Sequence, residues 1–168
     1  IWSLLRKRAF DITAVTDKSL KVKIQGKDID IKTFEQYVDM YIGYKTENPR
    51  IVQANDRWEC IVGLSPLDEF SQVSFVNGIY TGKGGKHVDY ITNQICKKMI
   101  EYIKRKKKVT VKATTIKEQL IVFVNCMIEN PAFDSQTKDF MNTPYGKFGS
   151  KFEINDKTID KLAKMGVM

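Results

Sequence analysis

Read from its amino end, the chain switches between two hydrophobic periodicities. In IWSLLRKRAFDITAV the apolar Leu4, Leu5, Ala9 and Ile12 recur near helical spacing, with Arg6, Lys7 and Arg8 between them, which predicts a helix. SLKVKIQGKDIDIK changes to every second position, with Leu20, Val22 and Ile24 before QGKD and Ile29 and Ile31 after it, the mark of a hairpin. TFEQYVDMYI returns to the helical period and sets Phe34, Tyr37, Val38 and Tyr41 on one face behind a capping Thr33.

YKTENPR is rich in breakers and charge, and longer strands follow it, so a domain boundary is expected between about Gly43 and Arg57, dividing residues 1–50 from residues 51–168. RIVQAN, RWECIVGL and SQVSFVNGI read as strands, with turns at Asn55-Asp56 and around Pro66, and an antiparallel meander is the expected arrangement. Beyond YTGKGGK, Val88, Ile91, Ile95, Met99 and the pair Tyr102/Ile103 recur every three or four residues, the clearest helix of the chain. TTIKEQ predicts a short helix and LIVFVNCMI, the most apolar run, a strand. After SKFEI, Asn155 or Asp156 caps a last helix, KTIDKLAKM. There is no internal repeat and no low-complexity tract.

Composition narrows the class. An apolar share of 42% over 168 residues fills a real core and excludes a disordered chain. The formal charge of +8 favours an anionic partner such as nucleic acid or nucleotide. Cys60, Cys96 and Cys126 are odd in number, widely separated and without a C-x-x-C pair, which suggests a reducing compartment and neither a disulfide framework nor a cysteine zinc site. His87 is the one histidine, so a histidine-rich metal site is excluded and no metal ligands are assigned. No apolar run reaches membrane-spanning length, and the amino terminus, without Met and without the order of a signal peptide, reads as part of something longer.

Several segments carry candidate chemistry. YTGKGGKHV joins a strand to a helix, where amides can receive an anion, but it matches neither phosphate-binding glycine motif; a tight turn needing glycine dihedrals is the better reading. His87 lacks an assignable nucleophile or carboxylate partner and is expected to cap or pack near the helix start. The tract Lys104, Arg105, Lys106, Lys107 and Lys108 admits two readings of equal weight, a solvated helix end and a contact for a phosphate backbone. In NPAFDSQTKDF, directly after the apolar strand, Lys138 is a mobile charge suited to a terminal phosphate and Gln136 an amide donor to the same oxygens, while a plain polar turn accounts for the pattern too.

Taken together and in order, RKRAFDI, YVDMY, RWE, VSFVNGIYTGKGGKHVDYITNQI, FVNCMIENPAFDSQTK and FGSKFEI resemble the eukaryotic-type DNA topoisomerase II family along nearly the whole chain. The resemblance implies an α+β fold: residues 1–50 as the closing part of a GHKL (Bergerat-type) ATPase domain, residues 51–168 as a ribosomal protein S5 domain 2-like transducer. It implies that Gln136, Thr137 and Lys138 form a nucleotide-binding loop in which Gln136 and Lys138 contact the ATP γ-phosphate, and that Lys104, Arg105, Lys106, Lys107 and Lys108 touch double-stranded DNA.

The further implications are ATP with Mg2+ as cofactors, a homodimer of the full-length enzyme, and a nuclear location, or a viral factory or virion if the source is a large DNA virus. The family's general base, its Mg2+ ligand and its DNA-cleaving tyrosine are expected outside these residues, so the chain by itself is expected to be inactive. Gly78 and Tyr80 depart from the family's usual wording, which leaves the source open. The rival functions are an autonomous basic nucleic-acid-binding module without ATP chemistry and a mismatch-repair clamp of the same superfamily, the latter disfavoured by GGKHVDY and ENPAFDSQTK.

Overall fold

The structure, a computed structural model, describes residues 1–167. It divides into two compact units, Ile1–Glu47 and Asn48–Met168.

In the first unit, helix α1 (Trp2–Val15) leads to a hairpin of β1 (Lys23–Ile24) and β2 (Lys27–Asp28), followed by helix α2 (Phe34–Ile42). Gln25 and Gly26 carry φ of 50° and 78°, so the two-residue turn is of the mirror-image kind whose twist suits a hairpin. Thr33 Oγ1 accepts the Gln36 amide at 3.1 Å and fixes the start of α2. Phe34, Tyr37 and Val38 are buried as their spacing predicts, while Tyr41 is exposed with its hydroxyl 2.9 Å from that of Tyr37. The α1 periodicity correctly predicts a helix but not its buried side. Leu4, Leu5 and Ile12 are exposed, whereas Asp11, Thr13 and Ala14 are buried. The reason is Asp11, whose carboxylate takes the Tyr37 hydroxyl at 2.6 Å and Lys7 Nζ at 2.7 Å, so the polar side of α1 is the one that meets α2.

The second unit is a five-stranded sheet in the order β3 (Arg50–Ala54), β4 (Trp58–Leu64), β7 (Leu120–Cys126), β5 (Ser71–Val76), β6 (Ile79–Tyr80). The expected meander is corrected here: β3 and β4 form a hairpin, but β7 lies between β4 and β5, antiparallel to the first and parallel to the second. Nearly every residue of β7 is buried, so the most apolar strand takes the centre. A parallel partner needs a long crossover, which helices α3 (Lys86–Lys107) and α4 (Ala113–Glu118) supply. SQVSFVNGI is also split: Asn77 and Gly78, with φ of 50° and 78°, turn the chain so that Ile79 pairs Val76.

Helix α3 buries Val88, Ile91, Ile95, Met99 and Ile103, the stripe set by the sequence, and the last four of these join Cys60, Val62, Val122 and Val124 of the sheet in one core. Trp58, 1% exposed, stacks near Phe152 and Phe148 and donates its ring N–H to Ser150 Oγ at 2.8 Å. The segment around Phe152 has no strand partner. Side-chain amides take that role: Gln94 bonds Phe152 O and the Ile154 amide, and Gln53 bonds Glu153 O and the Asn155 amide. Asn155 then caps helix α5 (Asp156–Lys164) by accepting the Thr158 amide at 2.8 Å. All three cysteines are free and buried; burial pushes the Cys60 thiol up to about 12 and raises those of Cys96 and Cys126. Among the described residues no helix is long and apolar enough to cross a membrane.

His87, fully buried at the start of α3, has Nε2 3.1 Å from Thr81 Oγ1, and Thr81 in turn donates to Ser74 O on β5. Burial lowers its pKa from 6.5 to about 3, so it is neutral at physiological pH and joins β5 to the helix as a structural group, in keeping with the expected packing role. Between those two values the unfolded chain binds one proton more than the folded one, and stability, complete above 6.5, falls as the pH drops toward 3. Urea melts between pH 7 and 4, followed by Trp58 fluorescence in a Trp2→Phe background, should show a loss of a few kcal/mol. His87→Gln, lower in stability at pH 7, should flatten that dependence.

Candidate functional site

Beyond β7 the chain makes a second, smaller hairpin that carries the polar loop. Asn77 holds its base, accepting the Ile128 amide at 2.9 Å and donating to Ile128 O at 3.0 Å. Residues 132–142 then fold back on themselves: the Asn142 amide bonds Ala132 O at 2.7 Å, Phe133 bridges Met141, and the Asp134 amide bonds Phe140 O at 3.2 Å. At the tip the Lys138 amide bonds Ser135 O at 3.1 Å, and Lys138 takes a left-handed φ of 58°. Gln136, Thr137 and Lys138 are all exposed there. Lys138 Nζ sits 5.8 Å from the Phe133 ring centroid, while the Thr137 hydroxyl is bonded within the tip to Ser135 and Asp139.

The glycine-rich turn is the seat of this hairpin. The Met141 amide bonds Gly84 O at 3.1 Å and the Lys86 amide bonds Met141 O at 2.9 Å, so Met141 lies strand-like against Gly84 and Gly85. Their φ values are 77° and 148°. A Cβ on Gly85 would overlap the backbone oxygen and nitrogen of Met141, so close approach of two backbones, not anion capture, accounts for glycine here. Sequence reasoning reached the turn and its dihedrals but missed the partner. The available signal was the symmetry of Phe133 and Met141 about a polar centre, a hairpin pattern.

The basic tract lies at the other end of α3. Lys104, Arg105, Lys106 and Lys107 form its last turn and Lys108 is its left-handed C-cap, all exposed, where the helix dipole favours cations. With 22 residues α3 is about 33 Å long, and the hairpin seat and these charges lie at its two ends.

A family model described as DNA gyrase B matches residues 17–165. The DNA topoisomerase 2 of Arabidopsis thaliana is 46% identical over 99% of this chain. The chain belongs to the type II DNA topoisomerase family. DNA topoisomerase 2-beta of Gallus gallus is 40% identical over the whole chain. The chain spans about 12% of the Arabidopsis protein's length and 11% of the chicken protein's. Among solved structures, the ATPase region of Saccharomyces cerevisiae topoisomerase II superposes with a TM-score of 0.87 at 38% identity, covering 97% of this chain and 41% of that one. The ATPase and transducer domains of DNA topoisomerase II from Balamuthia mandrillaris give 0.87 at 35% identity, covering 96% and 40%. The fold is thus that of the ATPase and transducer region of this family, a mixed α/β, GHKL-type architecture.

Gly85→Ala should lower stability by about 1–3 kcal/mol, since the strain falls on backbone that has no flexible side chain to yield. Amide exchange at Met141 and Lys86 should accelerate while that of the β4–β7 ladder stays slow.

Proposed function

We propose that this chain couples ATP binding and hydrolysis to capture of a DNA duplex in a type II topoisomerase, with residues 1–50 closing the ATPase domain and residues 51–168 forming the transducer. The observation that carries this reading is the hydrogen-bonded hairpin, which displays Gln136 and Lys138 at an exposed tip while Met141 fastens its base to the start of α3. An ammonium and an amide carried on one exposed tip suit the anionic oxygens of a terminal phosphate. A lysine reaching the γ-phosphate from a second domain loses its partner on hydrolysis, so nucleotide state becomes a change in domain angle. Among the described residues no group of three His, Cys, Asp or Glu side chains is placed to hold a metal ion, so Mg2+ would come to this loop only as the nucleotide's own counter-ion. Lys104, Arg105, Lys106, Lys107 and Lys108 are the proposed contact with double-stranded DNA, and a second copy of the polypeptide the proposed partner in the clamp. The nucleus is the compartment such a role requires in a eukaryote.

In the full-length protein Lys138→Ala should lower kcat/KM for ATP by roughly 10- to 100-fold, the range for removal of a charge-assisted hydrogen bond, and abolish ATP-dependent duplex passage. Unchanged turnover and passage would leave the basic DNA-binding module without nucleotide chemistry as the better account. Replacing Lys104, Arg105, Lys106, Lys107 and Lys108 by Ala should weaken duplex binding equally on unrelated sequences. The log–log salt slope should become shallower by roughly 0.9 for each phosphate that the protein no longer neutralises. An unchanged slope would remove the tract from the DNA interface.

A further inference from the structure

The hairpin tip is an ordered chain of hydrogen bonds, and one carboxylate ties it to the glycine-rich turn. Thr137 Oγ1 donates to Asp139 Oδ2 at 2.9 Å, which leaves Ser135 Oγ, 2.7 Å from Thr137 Oγ1, to donate to that oxygen. Lys83 Nζ lies 3.8 Å from the same Asp139 oxygen, and the Lys83 amide donates to Asp139 O at 2.9 Å. Lys138 stands between Thr137 and Asp139 with a φ of 58°, a backbone region uncommon for any residue with a Cβ. The side chains on either side of it are bonded to each other, so the direction in which Lys138 leaves the backbone is fixed by groups that are not Lys138.

An acid at a loop built for a phosphate is electrostatically adverse unless it has another task. Here its charge is faced by Lys83, 70% exposed, and its oxygen is aimed along the loop at Thr137. We infer that Asp139 is a positioning residue for the nucleotide sensor: by accepting from Thr137 and pairing with Lys83 it holds Lys138 in the single backbone geometry that presents its ammonium to a terminal phosphate. The inference rests on the reading of Lys138 as the γ-phosphate contact. Its physical content is preorganisation, in that a tip already ordered loses little freedom when the triphosphate binds. A nucleotide without the γ-phosphate makes no use of Lys138 and is indifferent to Asp139.

The test uses the full-length protein carrying Asp139→Ala, Asp139→Asn, Thr137→Val and Lys138→Ala, alone and with each of the first three combined with the last. Calorimetry gives affinities for a non-hydrolysable ATP analogue and for ADP. Asp139→Ala and Thr137→Val should each weaken the triphosphate analogue by roughly 5- to 10-fold and leave ADP within about twofold. Asp139→Asn, which keeps an acceptor for Thr137 but loses the charge facing Lys83, should fall between these and wild type. On the Lys138→Ala background Asp139→Ala should add no further loss, because the group it positions is gone. An equal fall for ADP, or the same loss on both backgrounds, would mean that Asp139 acts independently of Lys138 and overturn the proposal. If Lys138→Ala alone binds both nucleotides as wild type does, the γ-phosphate reading itself has failed and the positioning role falls with it.

Discussion

Two hydrogen bonds from one residue, Met141, decide where the polar hairpin stands. Its amide and carbonyl reach Gly84 and Lys86, each bond contributing only about 1 kcal/mol, yet the steric term is larger than either. Because Gly85 has no Cβ, the two backbones approach to strand distance, and any other residue at that point would push the hairpin off its seat. A loop that would otherwise be a mobile surface excursion is thereby tied to the first turn of the longest helix. The buried contact between Thr81 and His87 anchors the other end of the same turn, through an imidazole that burial keeps neutral.

From that seat the helix runs as a strut. Ile91, Ile95, Met99 and Ile103 are buried along its length against the strands that β7 organises, and nothing in that interior yields without opening a cavity. A helix packed in this way transmits a displacement at one end as rotation of the whole body. The hairpin and the basic tract are accordingly opposite ends of one rigid element, although they lie far apart in the fold and use unrelated chemistry.

Much of this was legible in the residues and some was not. The α3 stripe, the Thr33 and Asn155 caps and the QGKD turn follow from rules that act over three to seven residues, and each stands where the pattern sets it. The order of strands does not follow from such rules. Placing β7 between β4 and β5 depends on which strand most needs covering on both faces, a comparison across some seventy residues of sequence. The buried side of α1 was hidden for another reason: Asp11 finds a phenol and an ammonium there, and a satisfied carboxylate overrides an apolar stripe. At the site, residue types suggested which side chains suit a phosphate, whereas their support, a glycine backbone against Met141 and a carboxylate bonded to Thr137, carries no signature in composition or spacing.

The cysteines of the core have a practical corollary. Cys60, Cys96 and Cys126 are covered by the sheet and by α3, and their thiols are held in the protonated, poorly nucleophilic form. Alkylating labels therefore find little to attack in these residues while the fold is intact. A fluorophore or spin label carried on a cysteine introduced at an exposed position such as Asn142 or Lys108 would report from its chosen place alone, without rebuilding the interior.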